Sequence, residues 1–326
     1  MATEDALLFI DANKYLDLYR VAEGKPILDY LVEQASHVFV TQRVVDEVKR
    51  QKIKAAATFL GGLGEMKLQQ GFSVPDHLFG NTEQQTKSIT KKQKEIHAKI
   101  GEVNNEVKKL TMNIMEKVSQ STDEVSMALG PIFEKAIPHS ALELQKAQER
   151  RERGMPPGKR SNPIGDELHW EQILGQLAGR QKPQKLWIIT KDNDYGTMFA
   201  GKGFLNQSLY EELVSVSSGA EAFLFDDIAN GIKDYVSVTG VTAHKEPTTA
   251  QIKKFNGASN RLPPLDWFTT DGNAAVIQEM IRFRQAALAA SNANAYFLDA
   301  AQGGGGSLVV SGPPPSICDP EPSAEP

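Results

Sequence analysis

The sequence predicts an α/β fold: a three-layer arrangement with a central parallel sheet between helices, a long helical insertion and a helical C-terminal extension. Three observations predict it. Short apolar runs alternate with amphipathic helical stretches over residues 7–60 and again over 166–238, the signature of β-α-β units. The first run, Leu7-Leu8-Phe9-Ile10, is continuous rather than alternating, as expected of a strand buried on both faces. Residues 83–120 turn polar, with apolar residues at heptad-like spacing, which fits a helical arm better than a layer of the body.

The elements follow in order. A strand is predicted over 7–11, a helix over 14–35 with a turn at Gly24-Lys25-Pro26, a strand over 37–41 (HVFVT) and a helix over 42–60. The Gly-containing stretch 61–82 is expected to be irregular. In the arm, Ile89, Ile96, Ile100, Val103, Val107, Leu110, Ile114 and Val118 are separated by seven, four, three, four, three, four and four positions. A second helical run covers 122–153, broken near Pro131 and Pro138. The two runs together read as an antiparallel hairpin projecting from the body, for packing, dimerisation or RNA contact. After the loop RGMPPGKRSNPIG come a helix over 166–179, a strand over 185–190 (KLWIIT), the loop KDNDYG, a helix near 206–214, a short strand at 222–225 and a helix from Asp226. The expected organisation is one body from 1–82 and 154–238, the insertion 83–153, an extension 239–302 with an Ala-rich helix over 273–300, and a Gly- and Pro-rich tail, 303–326, without fixed structure.

Composition narrows the class. The chain has 326 residues, 40% hydrophobic and 24% charged, enough for a globular body with a core. Its one cysteine, Cys318, excludes an internal disulfide framework and a Cys-based zinc site, and fits a reducing compartment. The start, MATEDALLFID, lacks the basic and long apolar parts of a signal peptide, and no stretch approaches a membrane span. A cytoplasmic protein without membrane contact is the expectation. Net charge is −5, and the tail's Asp319, Glu321 and Glu325 leave the rest near −2. Bulk attraction to nucleic acid is therefore not supported. A local patch is: Lys146, Arg150, Arg151, Arg153, Lys159 and Arg160 stand against only Glu149 and Glu152.

The chemistry-bearing residues are acids. In an open parallel sheet, ligands sit beyond the carboxyl ends of the strands. Asp11 ends the first predicted strand, a position where a carboxylate is rarely buried without a partner. Asp192 lies two residues past WIIT, with Asp194 beside it. Asp166, four positions before Trp170, points near the apolar face of its helix, although an acid at a helix start also serves as a cap. Glu47 follows Val44 by three and borders the apolar stripe of its helix, while Asp46 points elsewhere. Acids gathered at one edge repel and raise one another's pKa values. A cation relieves that, and with oxygen donors only it would be hard: Mg²⁺ or Mn²⁺. Trp170 reads as core, and His169 as a surface histidine.

In this order the motifs resemble the PIN domain: FIDAN closing the first strand, T-x-x-V-x-x-E after the second, GD opening a mid-chain helix, and TKDNDYG after a later strand. GMPPGKRSNPIGDELHWEQIL and WIITKDNDYG are similar to bacterial PIN-like proteins that carry a long helical insertion. The resemblance covers about 1–235. It implies a metal-dependent nuclease, in most of the family a ribonuclease, with Asp11, Glu47, Asp166 and Asp192 as catalytic metal ligands and Asp194 as a fifth acid. It implies a water activated by Mg²⁺ or Mn²⁺. Asn13 would orient Asp11, or cap the helix; Thr190 and Thr41 would support the acids, or simply follow strand propensity. Lys159, Arg160 and Lys191 would contact substrate phosphates. A toxin or phage-defence role follows by family analogy only, as does a protein inhibitor; PIN toxins are less than half this length. Three other readings stand beside it: a silent PIN-like module that binds RNA or protein, a nuclease acting on single-stranded or structured DNA, and an aspartyl phosphatase or phosphotransferase. The last is weakened because Asn13 occupies the position where a D-x-D loop needs its second acid.

Overall fold

The computed structural model describes residues 5–61, 83–158, 164–178, 180 and 183–260. All of them belong to the first of the two units into which the chain divides, Met1–Asn273 and Ala274–Pro326. The expectations for 61–82 beyond Gly61, for the helix over 273–300 and for the tail lie outside the described residues, as do Lys159 and Arg160.

The centre is a parallel four-stranded sheet in the order β2-β1-β3-β6. Its strands are β1 (Ala6–Ile10), β2 (Val38–Phe39), β3 (Lys185–Ile189) and β6 (Glu221–Phe225). Leu7 to Ile10 and Leu186 to Ile189 are all buried. Side chains alternate faces along a strand, so both faces of β1 and β3 are covered. Register pairs Ile10 with Ile189 and Ile189 with Phe225. The backbone ladder runs on past the strands, from the Asp11 amide to the Ile189 carbonyl (2.9 Å) and from the Thr190 amide to the Phe225 carbonyl (2.9 Å).

The helices flank this sheet. The 14–35 region is two helices, α1 (Ala12–Arg20) and α2 (Lys25–Glu33), with Pro26 in the first turn of the second. α3 (Gln42–Gly61) follows β2. In α7 (Asp166–Leu177), Trp170, Ile173 and Leu177 are fully buried. α8 (Gln207–Val216) and α9 (Ile228–Thr239) complete the body. Trp187 on β3 stacks on Phe223 of β6 (centroids 4.6 Å apart) and meets Tyr235 of α9 edge-on at 5.1 Å. A further helix, α10 (Thr249–Ser259), buries Ile252 and Phe255 in the same core.

Two regions differ from the sequence expectation. Between β3 and α8 there is an antiparallel hairpin, β4 (Gly196–Phe199) and β5 (Lys202–Leu205). Its two-residue turn, Ala200-Gly201, has φ of 50° and 78°, the positive pair a type I′ hairpin requires. The insertion is also not one projecting hairpin. α4 (Glu83–Gln120) is long, and Ile89, Ile96, Val103 and Leu110 remain 40–59% exposed. Beyond it, however, α5 (Glu124–Phe133) and α6 (Ala141–Arg153) return to the body, where Leu129, Ile132 and Ala147 are fully buried. Ile137, between them, even extends the sheet edge: its amide donates to the Val40 carbonyl (3.0 Å) and its carbonyl accepts from the Gln42 amide (2.9 Å).

Arg150 explains why α6 docks. It is buried, and its guanidinium donates to Glu171 of α7 (2.7 Å), to Glu212 of α8 (2.7 Å) and to the Pro156 carbonyl (2.6 Å). Trp170 Nε1 donates to the same Glu212 carboxylate at 2.6 Å. One of the six cations of the 146–160 patch is thus an internal anchor, not a surface charge.

Candidate functional site

The sheet order places β2 on one side of β1 and β3 on the other. The chain therefore switches direction of winding between β1 and β3, and the crevice beyond their carboxyl ends is where ligands bind in such sheets. Asp11 follows β1 there, and Thr190 follows β3 directly opposite.

Asp11 is 5% exposed. One carboxylate oxygen, Oδ1, accepts from the Ala12 amide at 2.7 Å, so the residue caps α1. The other, Oδ2, accepts from Thr190 Oγ1 (2.9 Å) and Asn13 Nδ2 (3.2 Å). Thr190 Oγ1 in turn accepts from the Asp192 amide (2.9 Å), and Asp192 Oδ1 accepts from the Asp194 amide (2.9 Å). A single chain of bonds thus runs from Asn13 through Asp11 and Thr190 to the Asp192–Asp194 loop. Asn13 and Thr190 both touch Asp11, where the sequence placed them.

Asp166 opens α7 and is half-buried. Glu47 is half-buried on α3, accepts from Gln51 at 2.9 Å and lies 3.8 Å from Arg50; Asp46 is exposed. The charges of these acids act on one another. Burial pushes the Asp11 carboxyl from 3.8 up to about 6; the Thr190 hydrogen bond opposes this, and the charges of Glu47 and Asp192 add to it. Asp166 is held well above the usual carboxylate range by burial, with Asp11, Asp192, Glu47 and Glu167 adding to the rise. Tyr195 closes the floor: it is fully buried, donates to the Asp166 carbonyl at 3.3 Å, and its hydroxyl is pushed up by burial and by Asp166, Asp11 and Asp192. Sequence reasoning missed Tyr195, since nothing in KDNDYG separates a floor residue from an ordinary turn tyrosine.

The loop before α7 has its own lock. Glu167 is buried, accepts from the Gly165 amide at 3.3 Å and leaves no room for a side chain at Gly158, whose φ is 118°. Only glycine is comfortable in that space and conformation.

Two residues sit differently from their sequence reading. His169 is not at the surface: it is 1% exposed, pairs its Nδ1 with Thr41 Oγ1 (3.0 Å) and tilts against Phe9. Burial, helped by the Arg43 charge, lowers its pKa to about 3. Thr41 also accepts from the Val44 amide (3.2 Å), capping α3. Lys191 points away from the acids, with its ammonium 3.0 Å from Asp17.

The donor set is carboxylate oxygen, which fits a hard divalent cation that keeps part of its water shell. Burial raises both Asp11 and Asp166, and neighbouring carboxylates add to each rise. Among the described residues, no three Asp, Glu, His or Cys side chains are already arranged to hold an ion. The chain therefore gathers the acids without fixing a closed coordination shell.

Order of acids, switch-point geometry and sheet topology define a class, the PIN domain. The PIN-domain family profile matches residues 8–195. The chain belongs to this family, whose members are generally nucleases and typically use divalent metals. Comparison with curated proteins and with solved structures finds no match. No described helix is long and apolar enough to cross a membrane.

Proposed function

We propose that the chain is a Mg²⁺- or Mn²⁺-dependent nuclease that hydrolyses phosphodiester bonds, with RNA as its substrate and endonucleolytic cutting as its mode. The observation that supports this reading is the gathering of acids beyond β1 and β3: Asp11 is bonded through Thr190 to Asp192, and burial raises the Asp11 and Asp166 carboxyls, with the charges of Glu47 and Asp192 adding to both rises. Those four residues, with Asp194 beside them, would hold the ion. A divalent cation there supplies positive charge to the phosphodiester and makes a water nucleophilic near neutral pH. Asp11 is pre-aimed by Asn13, Ala12 and Thr190. Thr190 links Asp11 to Asp192 through two hydrogen bonds. Tyr195 keeps the floor dry, which strengthens every charge interaction above it.

Lys159 and Arg160, six and seven positions before Asp166, would contact the phosphate backbone next to the acids. Lys191 would do so only after leaving Asp17. Binding to RNA would then weaken as salt rises. The exposed stripe on α4 would be covered in a homodimer, and a protein inhibitor could use the same face. By family analogy, a toxin-like or defence role in the cytoplasm accompanies this activity. The body would comprise 1–82 and 154–238, with 83–153 inserted and 239–302 appended.

A second reading has one observation in its favour: among the described residues no acid trio stands ready to hold an ion. It is a PIN-like module that binds RNA without cutting. Cleavage of end-labelled single-stranded RNA and matched DNA in Mg²⁺, Mn²⁺ or EDTA separates the two. Metal-dependent cutting of RNA, lost in Asp11→Asn, supports the nuclease; RNA retention without products supports the module, and cutting of DNA alone corrects the substrate.

A further inference from the structure

A second buried charge network lies beside the acid crevice, and it joins the crevice to a helix outside the family match. Asp17, on α1, is 1% exposed. A buried carboxylate survives by pairing. Asp17 has Arg20 at 2.6 Å and Lys191 at 3.0 Å, and it accepts from Ser259 Oγ at 2.5 Å. Lys191 Nζ donates to Ser259 Oγ (2.6 Å) and to the Ser259 carbonyl (3.1 Å). An ammonium has three N–H donors. Here three oxygens surround it, so the group is satisfied without any substrate.

Position gives the network its meaning. Lys191 sits between Thr190, which donates to Asp11, and Asp192, whose amide donates back to Thr190. Ser259 is the last residue of α10, which starts more than fifty residues beyond the end of the family match at 195. α10 is fixed independently: Ile252 and Phe255 are buried, and Asn256 Nδ2 donates to Asp227 at 2.5 Å, the residue that caps α9. One turn before Asp17, Lys14 is buried as well and donates to the Asp226 carbonyl at the end of β6. The carboxyl ends of β1, β3 and β6 are thus tied together by groups that are not themselves in the crevice.

We infer that α10 is a positioning strut: through Ser259 and Asp17 it clamps Lys191 and so fixes the backbone that presents Thr190 and Asp192 to Asp11. Lys191 is then a positioning residue rather than a phosphate contact. The functional consequence rests on the nuclease reading; the mechanical link rests on the contacts alone.

The test uses the full chain, with Ser259→Ala, Ser259→Thr and Lys191→Ala beside wild type. Amide hydrogen exchange reports the loop with or without activity. In Ser259→Ala, exchange at the Asp192 and Asp194 amides rises by about fivefold or more, while the β1 and β3 amides stay protected. Affinity for Mn²⁺ alone, measured by titration calorimetry, falls by about tenfold, the usual effect of losing support behind a ligand. Ser259→Thr, which keeps the hydroxyl, restores both, and KM for RNA is unchanged in Ser259→Ala. Unaltered exchange at Asp192 and Asp194 in Ser259→Ala overturns the strut. So does a Lys191→Ala variant whose KM for RNA rises while those amides stay protected, since that is a substrate contact. Wild type that neither binds Mn²⁺ nor cuts RNA overturns the nuclease reading instead, and the exchange result still decides the strut.

Discussion

Neutralising Asp11 should stabilise the metal-free protein while removing the proposed nuclease activity. The carboxyl is pushed from 3.8 to about 6 in the folded state. A folded-state pKa above the unfolded one means that folding disfavours the ionised form. The penalty is absent below pH 4, grows as pH rises through 6, and is then constant. Its ceiling is about 3 kcal/mol, from roughly two pKa units at 1.36 kcal/mol each. Asp11→Asn removes that penalty. It also sets an amide against the Thr190 hydroxyl, where the carboxylate now accepts, at a cost of about 1 kcal/mol. The net expectation is a gain of about 1–2 kcal/mol at pH 7.5 without metal. Urea unfolding at pH 7.5 and pH 4.5 reads it, in EDTA and in excess Mn²⁺. The gain should vanish or reverse at pH 4.5, and Mn²⁺ should stabilise wild type but not the variant, because a ligand stabilises only the state that binds it. A variant less stable than wild type at pH 7.5, or a difference that ignores pH, refutes the reasoning.

Other residues give sharp expectations. Thr190→Val breaks the bridge between Asp11 and Asp192 and should cost about 1 kcal/mol in urea unfolding while lowering turnover by about 10- to 100-fold. Arg150→Ala leaves Glu171 and Glu212 without their shared cation and should cost about 3–5 kcal/mol by chemical denaturation. His169 titrates near 3 when folded, against 6.5 when unfolded. Its contribution is complete above pH 6.5 and is lost as pH falls toward 3. At pH 5 the loss is about 2 kcal/mol, and His169→Gln should flatten that part of the stability–pH curve. If the exposed α4 stripe forms the proposed homodimer, Ile96→Lys with Val103→Lys should shift sedimentation from dimer to monomer and lower the thermal midpoint in a concentration-dependent way, since both side chains are about half-exposed on α4.

The body was legible because its strands are unambiguous. Leu7 to Ile10 and Leu186 to Ile189 are uninterrupted apolar runs, and such runs ending on Asp11 and Thr190 predict a parallel sheet edge. The order of acids then matched the PIN domain, which the family comparison bears out. The β4–β5 hairpin was not legible. Its strands, GTMF and KGFL, have no alternation, and its turn uses Ala-Gly in place of the usual Asn-Gly. His169 was misread because a histidine in a helix carries no sign of its depth; Thr41, 128 residues earlier, buries it with a hydrogen bond. Arg150 looked like one cation of a basic patch because its partners, Glu171 and Glu212, lie far along the chain. Lys191 was similarly opaque, as its counter-ion Asp17 and its hydroxyl partner Ser259 meet only in the fold. Long-range pairing of charges leaves no local pattern.

On the proposed reading, the acids gathered beyond β1 and β3 bind a divalent cation. Mn²⁺ binding to the full chain, followed by electron paramagnetic resonance of free ion at pH 7.5, tests it most directly, with Asp11→Asn and Asp166→Asn as comparisons. Saturable binding by wild type, weakened at least about tenfold by either substitution, is expected. Wild type that leaves Mn²⁺ free in solution, or binding that both substitutions leave intact, contradicts it.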